Sequence, residues 1–176
     1  MEKSSDNFVF HGSKESFEIA TPKKNIRSRL TKEGERETVF EGISFHATPY
    51  KWIALAYTYN RTIKEINGKK FIYTMGVDLY THDKELEIYG IGSLEESLKI
   101  LYGNGGYIYH FDKDKFIYTE GLGNLEVISK ESIEPIEIEH ISDPVEQMKN
   151  LGVTFKFIDL SLPENENDRK LILGES

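Results

Sequence analysis

The stretch Phe45-His46-Ala47-Thr48-Pro49-Tyr50-Lys51-Trp52-Ile53-Ala54-Leu55-Ala56-Tyr57 decides the reading of this chain. Its first residues continue Gly42-Ile43-Ser44 and predict a strand over Gly42 to Ala47. Thr48 supplies an N-cap hydroxyl and Pro49 a proline suited to the first helical position, so a helix should run to about Tyr59. In that helix Trp52, Leu55, Ala56 and Tyr59 follow the i, i+3, i+4, i+7 spacing of a core-facing stripe. Tyr50, Ile53 and Tyr57 make a second apolar row, roughly 140° around the axis at 100° per residue. Either the helix is packed on two sides, or Tyr57 lines a cleft.

Upstream, Asn7 to Phe10 reads as a strand that ends at His11-Gly12-Ser13. Ile19 to Lys32 holds five basic residues (Lys23, Lys24, Arg27, Arg29, Lys32) and no acidic one, and is expected to be a loop. Downstream, Lys69 to Tyr80 should be a long strand with Gly76 as a candidate bulge. Ser93-Leu94-Glu95-Glu96 fits a capping box that opens a helix to about Leu101, and Gly103 to Gly106 closes it. Strands are expected at Tyr107 to Phe111, Leu125 to Ser129, Ile133 to Ile141 and Val153 to Leu160. Asp143-Pro144-Val145-Glu146 combines an acidic cap with a first-turn proline and predicts a helix over Pro144 to Asn150. Many short strands with three helices argue an α+β domain over residues 1–160, followed by a polar tail, 161–176, expected to fray from Pro163.

Composition bounds the function. With 176 residues, 38% apolar and 30% charged, the chain matches one globular domain that buries roughly 70% of its unfolded surface. Thirty acidic residues against 22 basic give a net charge of −8, which argues against bulk attraction to nucleic acid or an anionic membrane and leaves a local basic patch for such work. The longest apolar run, Trp52 to Tyr57, is far short of the roughly 18 residues of a membrane span. Met1 to Asn7 has no apolar segment after a basic start, so a cytoplasmic protein without signal peptide or membrane partner is expected. There is no cysteine, which excludes disulfides, thiolate metal sites and a thiol nucleophile. His82, His110 and His140 are scattered, and Asp112 and Asp114 lack the glycine and distal Glu of a calcium loop, so no metal is expected.

Three places carry candidate chemistry. His11-Gly12-Ser13 offers an imidazole, a backbone without Cβ and a hydroxyl in one turn. His46 sits among apolar neighbours on its strand, where a hydrogen-bonded core histidine is the plain alternative. Glu126, after the glycine-rich Gly121 to Asn124, should share a strand face with Asn124 and Ile128 and be a partly buried carboxylate.

Together these residues resemble the ADP-ribosyltransferases of the diphtheria-toxin and poly-ADP-ribose polymerase type. In that family a His-Gly-Ser/Thr strand is followed by an aromatic strand residue, a helical Tyr eleven positions later and a late catalytic Glu. Here His46 and Tyr57 are eleven apart. The resemblance spans Phe8 to about Ile141 and implies two packed small antiparallel or mixed sheets flanked by helices. It also implies NAD as co-substrate: His11 on the adenosine ribose, Gly12 on the nicotinamide carboxamide beside Ser13, Tyr57 stacked on the nicotinamide ring, and Glu126 on the 2′-hydroxyl of the nicotinamide ribose. The triad would read His11, His46, Glu126. On a chain of net charge −8, the five cations of the basic segment Lys23 to Lys32, Arg27 and Arg29 among them, are expected beside the same cleft, on the pyrophosphate or an anionic acceptor. His46 departs from the usual Tyr, a position where the related RNA 2′-phosphotransferases carry His; those enzymes lack the catalytic Glu. Asn124 stands where arginine-modifying members carry Glu or Gln, so arginine is not the expected acceptor. Protein, nucleic acid and small molecule remain open as acceptors, as does a non-catalytic domain that only binds a nucleotide or a partner.

Overall fold

The computed structural model describes residues 7–30, 33, 35–77, 83–119 and 121–175. Strand β1 (Phe8–Ser13) opens the chain. Next come β2 (Lys23–Leu30) and β3 (Arg36–Ala47), helix α1 (Lys51–Ala56), β4 (Thr62–Ile66), β5 (Lys69–Val77) and β6 (Glu85–Gly90). Helix α2 (Leu94–Tyr102), β7 (Gly106–Asp112), β8 (Val127–Ser129), β9 (Glu137–Ile141), α3 (Pro144–Asn150), β10 (Thr154–Asp159) and α4 (Glu166–Leu173) complete it. Among the described residues the strands form three sheets, ordered β1-β7-β9, β2-β3-β8 and β10-β6-β5-β4. Every pairing is antiparallel except β10 with β6.

The class is α+β, but three sheets stand where two were expected. The strand at Lys69 is flanked on both sides. Asn67 and Gly68, both at positive φ, turn β4 back onto it as a hairpin. Leu86, Ile88 and Gly90 bury the inner face of β6 on its other edge. Gly76 makes no bulge, because Thr74 to Val77 pair with Tyr89 to Leu86 in unbroken register. The irregularity falls instead between Arg27 and Ser28 of β2, the basic segment expected as a loop. Pairing with the long strand β3 makes it a ribbon.

The helix caps at Ser93 and Asp143 form as expected: Ser93 Oγ accepts from the Glu96 N–H and Asp143 Oδ1 from the Glu146 N–H. Helix α1 is shorter than expected and begins beyond Thr48. The Thr48 backbone is held by Phe10 in both directions (2.7 and 2.8 Å), which keeps it extended, and its hydroxyl accepts from the Tyr50 N–H instead. Trp52 to Ala56 are all buried, between β1, β5 and α3. Helix α1 is therefore packed on both sides, and its two apolar rows both have a use.

The polar segment from Pro163, expected to fray, contains α4. Arg169 anchors it: buried, it donates to the Lys70 carbonyl and to both Glu166 oxygens, and it pairs with Glu175. A mostly polar sequence hides such a helix because a buried guanidinium, helped by Ile172 and Leu173 against Phe71, Ile72 and Leu160, holds it down. Among the described residues no helix is long and apolar enough to cross a membrane.

Candidate active site

Strands β1 and β3 touch through one pair of backbone hydrogen bonds, Phe10 with Thr48, and then splay apart. In a strand, alternate residues present N–H and C=O to the same edge. Gly12 therefore shares with Phe10 the edge facing away from β7, and its amide and carbonyl point into the gap between the strands. An open cleft of about 390 Å³ lies there. Its walls are Phe10, His11 and Gly12 from β1, His46 to Thr48 from β3, Ile53, Ala54 and Tyr57 from the helix, and Leu125 and Glu126 before β8.

All four residues expected to converge, His11, His46, Tyr57 and Glu126, line this one cleft, and Gly12 lines it with them. Ser13 does not; it faces a second groove, and its Oγ accepts from the Glu15 N–H. The absence of a side chain at Gly12 answers a packing need as well as any ligand, since a Cβ there would collide with the carbonyl of Ala54.

The histidines are oriented by hydrogen bonds whose direction follows from their partners. His11 Nδ1 lies 2.7 Å from the His46 carbonyl. A carbonyl only accepts, so Nδ1 carries the proton and acceptor character falls on Nε2 in the neutral ring. The Phe45 ring packs 4.4 Å from that of His11. His46 Nδ1 lies 2.6 Å from Glu126 Oε1 and its Nε2 lies 2.8 Å from Ser44 Oγ. A carboxylate also only accepts, so Nδ1–H donates to it in a short, charge-assisted bond. His46 and Glu126 are 7% and 6% exposed, far more buried than the partly buried carboxylate expected from alternation. Asn124 is exposed, because β8 starts only at Val127 and the preceding residues are a turn rather than a strand.

His46 is thus both a hydrogen-bonded core histidine and a cleft residue. Its ring meets Phe40 edge-on, with centroids 5.3 Å apart.

The second groove, about 950 Å³ and open to solvent, adjoins the cleft and shares His11 and His46 with it. Ser13, Thr21, Lys23, Asn25 and Ser44 give it a polar lining, and Phe17 walls it. Tyr109 pins that wall: its ring stacks on Phe17 at 3.8 Å and its hydroxyl accepts from the Phe17 N–H. Lys23 and Asn25 are the part of the basic segment that reaches this groove. Arg27 and Arg29 lie further along β2, with side chains outside those described, and Lys32 lies outside the described residues.

At the other end of α1, Lys51 pairs with Glu139 at 2.9 Å, and His110 Nε2 approaches the same oxygen at 3.3 Å. Burial pushes the Glu139 carboxyl up, but the hydrogen bonds and charges of Lys51 and His110 outweigh it and hold the group below the ordinary value.

Two features escaped the sequence reading. Ser44 is two residues before His46 on β3, so strand alternation alone puts both side chains on one face; that signal was present. Asn25 reaches the groove only because β2 forms, which no local pattern announced, whereas Lys23 belongs to the basic segment expected beside the cleft. No protein-family model matches the chain, and neither the curated proteins nor the solved structures searched gave a significant match.

Proposed function

We propose that the cleft and the adjoining groove bind NAD, and that the protein is an NAD-dependent ADP-ribosyltransferase. The observation that carries the proposal is the convergence of His11, Gly12, His46, Tyr57 and Glu126, distant in sequence, on one cleft. The shape supports it too: a small pocket with largely apolar walls opens beside a larger groove of mixed polar and apolar lining, which suits a flat nicotinamide ring joined to a sugar-phosphate chain.

In this reading the outward amide and carbonyl of Gly12 take the carboxamide of nicotinamide, matching donor to acceptor at both ends, and Tyr57 covers the ring. His11, at the junction, hydrogen-bonds the adenosine ribose. The pyrophosphate passes toward the basic strand β2, where Arg27 and Arg29 are the proposed cations. Glu126 holds the 2′-hydroxyl of the nicotinamide ribose. The bond from C1′ to the nicotinamide nitrogen breaks with its electron pair leaving on nicotinamide, and the acceptor then bonds to C1′ and loses its proton. Positive charge develops at C1′ in between, and a fixed carboxylate in a partly dehydrated site stabilises it. A cytoplasmic protein has NAD at hand. Phosphate transfer is the less favoured reading, because the Glu126 carboxylate beside His46 would repel a phosphate placed on that imidazole.

The test is incubation with NAD and measurement of free nicotinamide. Stoichiometric or catalytic release supports the transferase; binding without release supports a nucleotide-binding module; neither binding nor release overturns both.

A further inference from the structure

Serine, imidazole and carboxylate form one hydrogen-bonded chain here, Ser44 Oγ to His46 Nε2 at 2.8 Å and His46 Nδ1 to Glu126 Oε1 at 2.6 Å. Ser44 is 1% exposed, and its backbone carbonyl accepts from Asn25 Nδ2 at 2.7 Å, so its place on β3 is fixed from both sides. Ser44 and Glu126 contact different hollows, the groove and the cleft, and His46 is common to both.

An imidazole ring in a protein has two orientations that differ by half a turn about its bond to Cβ. They exchange Nδ1 with Cδ2 and Nε2 with Cε1. In one, His46 presents N–H to Glu126 and nitrogen to Ser44; in the other it presents C–H to both. Glu126 alone rewards the first orientation with one hydrogen bond, and Ser44 rewards it with a second. The hydroxyl is also the right partner for both charge states of the ring, because it donates to a neutral Nε2 and accepts from a protonated one.

From this geometry we infer that Ser44 is a positioning residue for the reaction at Glu126. It acts through His46, holding the ring in the orientation and tautomer that fix the carboxylate. The inference rests on the transferase reading for its effect on turnover, while the hydrogen-bonded chain itself can be judged without it. The connectivity is also that of an activated serine, but Ser44 lies on a paired strand with only 1% of its surface exposed at the groove wall, where a substrate carbonyl has little access to its oxygen. Positioning is the role its burial favours.

The test compares the wild type with Ser44→Ala and Ser44→Thr. Side-chain ¹⁵N NMR of His46 reads the ring directly. The wild type is expected to show a single ring form with its proton on Nδ1 facing Glu126, with Ser44→Ala showing a mixture of tautomers or orientations and Ser44→Thr restoring a single form. Nicotinamide release should show kcat about tenfold lower in Ser44→Ala with KM within about threefold, and recovery in Ser44→Thr to within about threefold of wild type. An unchanged His46 spectrum together with unchanged kcat in Ser44→Ala overturns the inference. So does labelling of Ser44 in the wild type by a fluorophosphonate, which would make it a nucleophile. If the wild type releases no nicotinamide, the transferase reading fails by itself. The NMR arm then still decides the chain: His46 changes in Ser44→Ala support Ser44 as the lock on its ring, and no change removes that too.

Discussion

His46 Nδ1 stands 2.6 Å from Glu126 Oε1 across eighty residues of sequence, and both side chains are more than nine-tenths buried. A carboxylate so far from water needs such a donor, because an ionised group transferred into the interior without a partner costs several kcal/mol, of order 3 to 5 when one member of a buried pair is removed. The pair is therefore structural and chemical at once, and substitutions at its two ends should separate the two roles.

At Glu126, replacement by Gln keeps the shape and the capacity to accept from His46 but removes the negative charge. NAD affinity should change little while turnover falls by about 10² to 10³, the effect of losing one preorganised electrostatic partner. Nicotinamide release at saturating NAD is the measurement; equal rates for wild type and variant refute the assignment of Glu126.

His46→Phe removes the donor and leaves Glu126 in place. The stability loss should be about 3 to 5 kcal/mol by chemical denaturation, larger than for Glu126→Gln. A stacking role alone would allow His46→Phe to keep NAD cleavage within about tenfold, a barrier change of roughly 1.4 kcal/mol. The hydrogen bond to Glu126 leads us to expect a larger loss. Should the wild type instead move a 2′-phosphate from a short RNA to NAD, and His46→Phe abolish it, the transferase reading gives way to the phosphotransferase one.

Gly12→Ala places a methyl group against the Ala54 carbonyl, which is backbone and has no rotamer to move. Overpacking of that kind costs typically about 1 to 3 kcal/mol, and here the upper end is expected because helix α1 is itself packed on both sides. A melting curve for Gly12→Ala indistinguishable from wild type would mean that β1 and α1 are not as close as described.

Glu139 gives a test in pH. Its folded-state pKa is held below the ordinary 4.5, so its ionised form favours the native state. That stabilisation is fully present above about pH 4.5 and is lost as pH falls through the lower folded value. The stability gap between wild type and Glu139→Gln should be wide at pH 7 and close at acid pH. The Glu166 carboxyl, held down to about 2 by Arg169 first and Lys69 second, follows the same sign, with its contribution lost only as pH falls toward 2. Arg169→Ala should lower Tm and weaken that acid dependence, leaving the part due to Lys69; an unchanged Tm would mean that α4 is not held by its guanidinium.

What the sequence disclosed follows from where the physics is local. Caps at Ser93 and Asp143 and the alternation of β7 depend on neighbouring residues, and these were legible. The spacing of His46 and Tyr57, and the two apolar rows of α1, also carried over into three dimensions. Strand β4 was missed although Asn67-Gly68 is a strong hairpin signal, because Thr62 to Ile66 is charged and exposed along most of its length. Strand β2 was missed because its charged residues do not alternate with apolar ones; it exists by pairing with β3. Helix α4 depends on Arg169 finding the Lys70 carbonyl 99 residues away, a contact no window along the chain contains. At the site, Ser44 was readable by alternation, whereas the burial of Glu126 was set by the turn before β8.

The single pair of bonds between Phe10 and Thr48 also bears on how the two halves of the protein communicate. β1 belongs to one sheet and β3 to another; Val9, Tyr109 and Phe111 share a buried core with Ala47 and Val127, and along the cleft the Phe10–Thr48 contact is the backbone rivet between them, with His11 on the His46 carbonyl as the stitch beyond it. A molecule that bonded to Gly12 on one side and to Glu126 on the other would fasten the sheets a second time, some distance from the rivet. Occupancy and rigidity would then be the same quantity, so saturation with substrate should slow amide exchange in both strands together, far beyond the atoms that it touches.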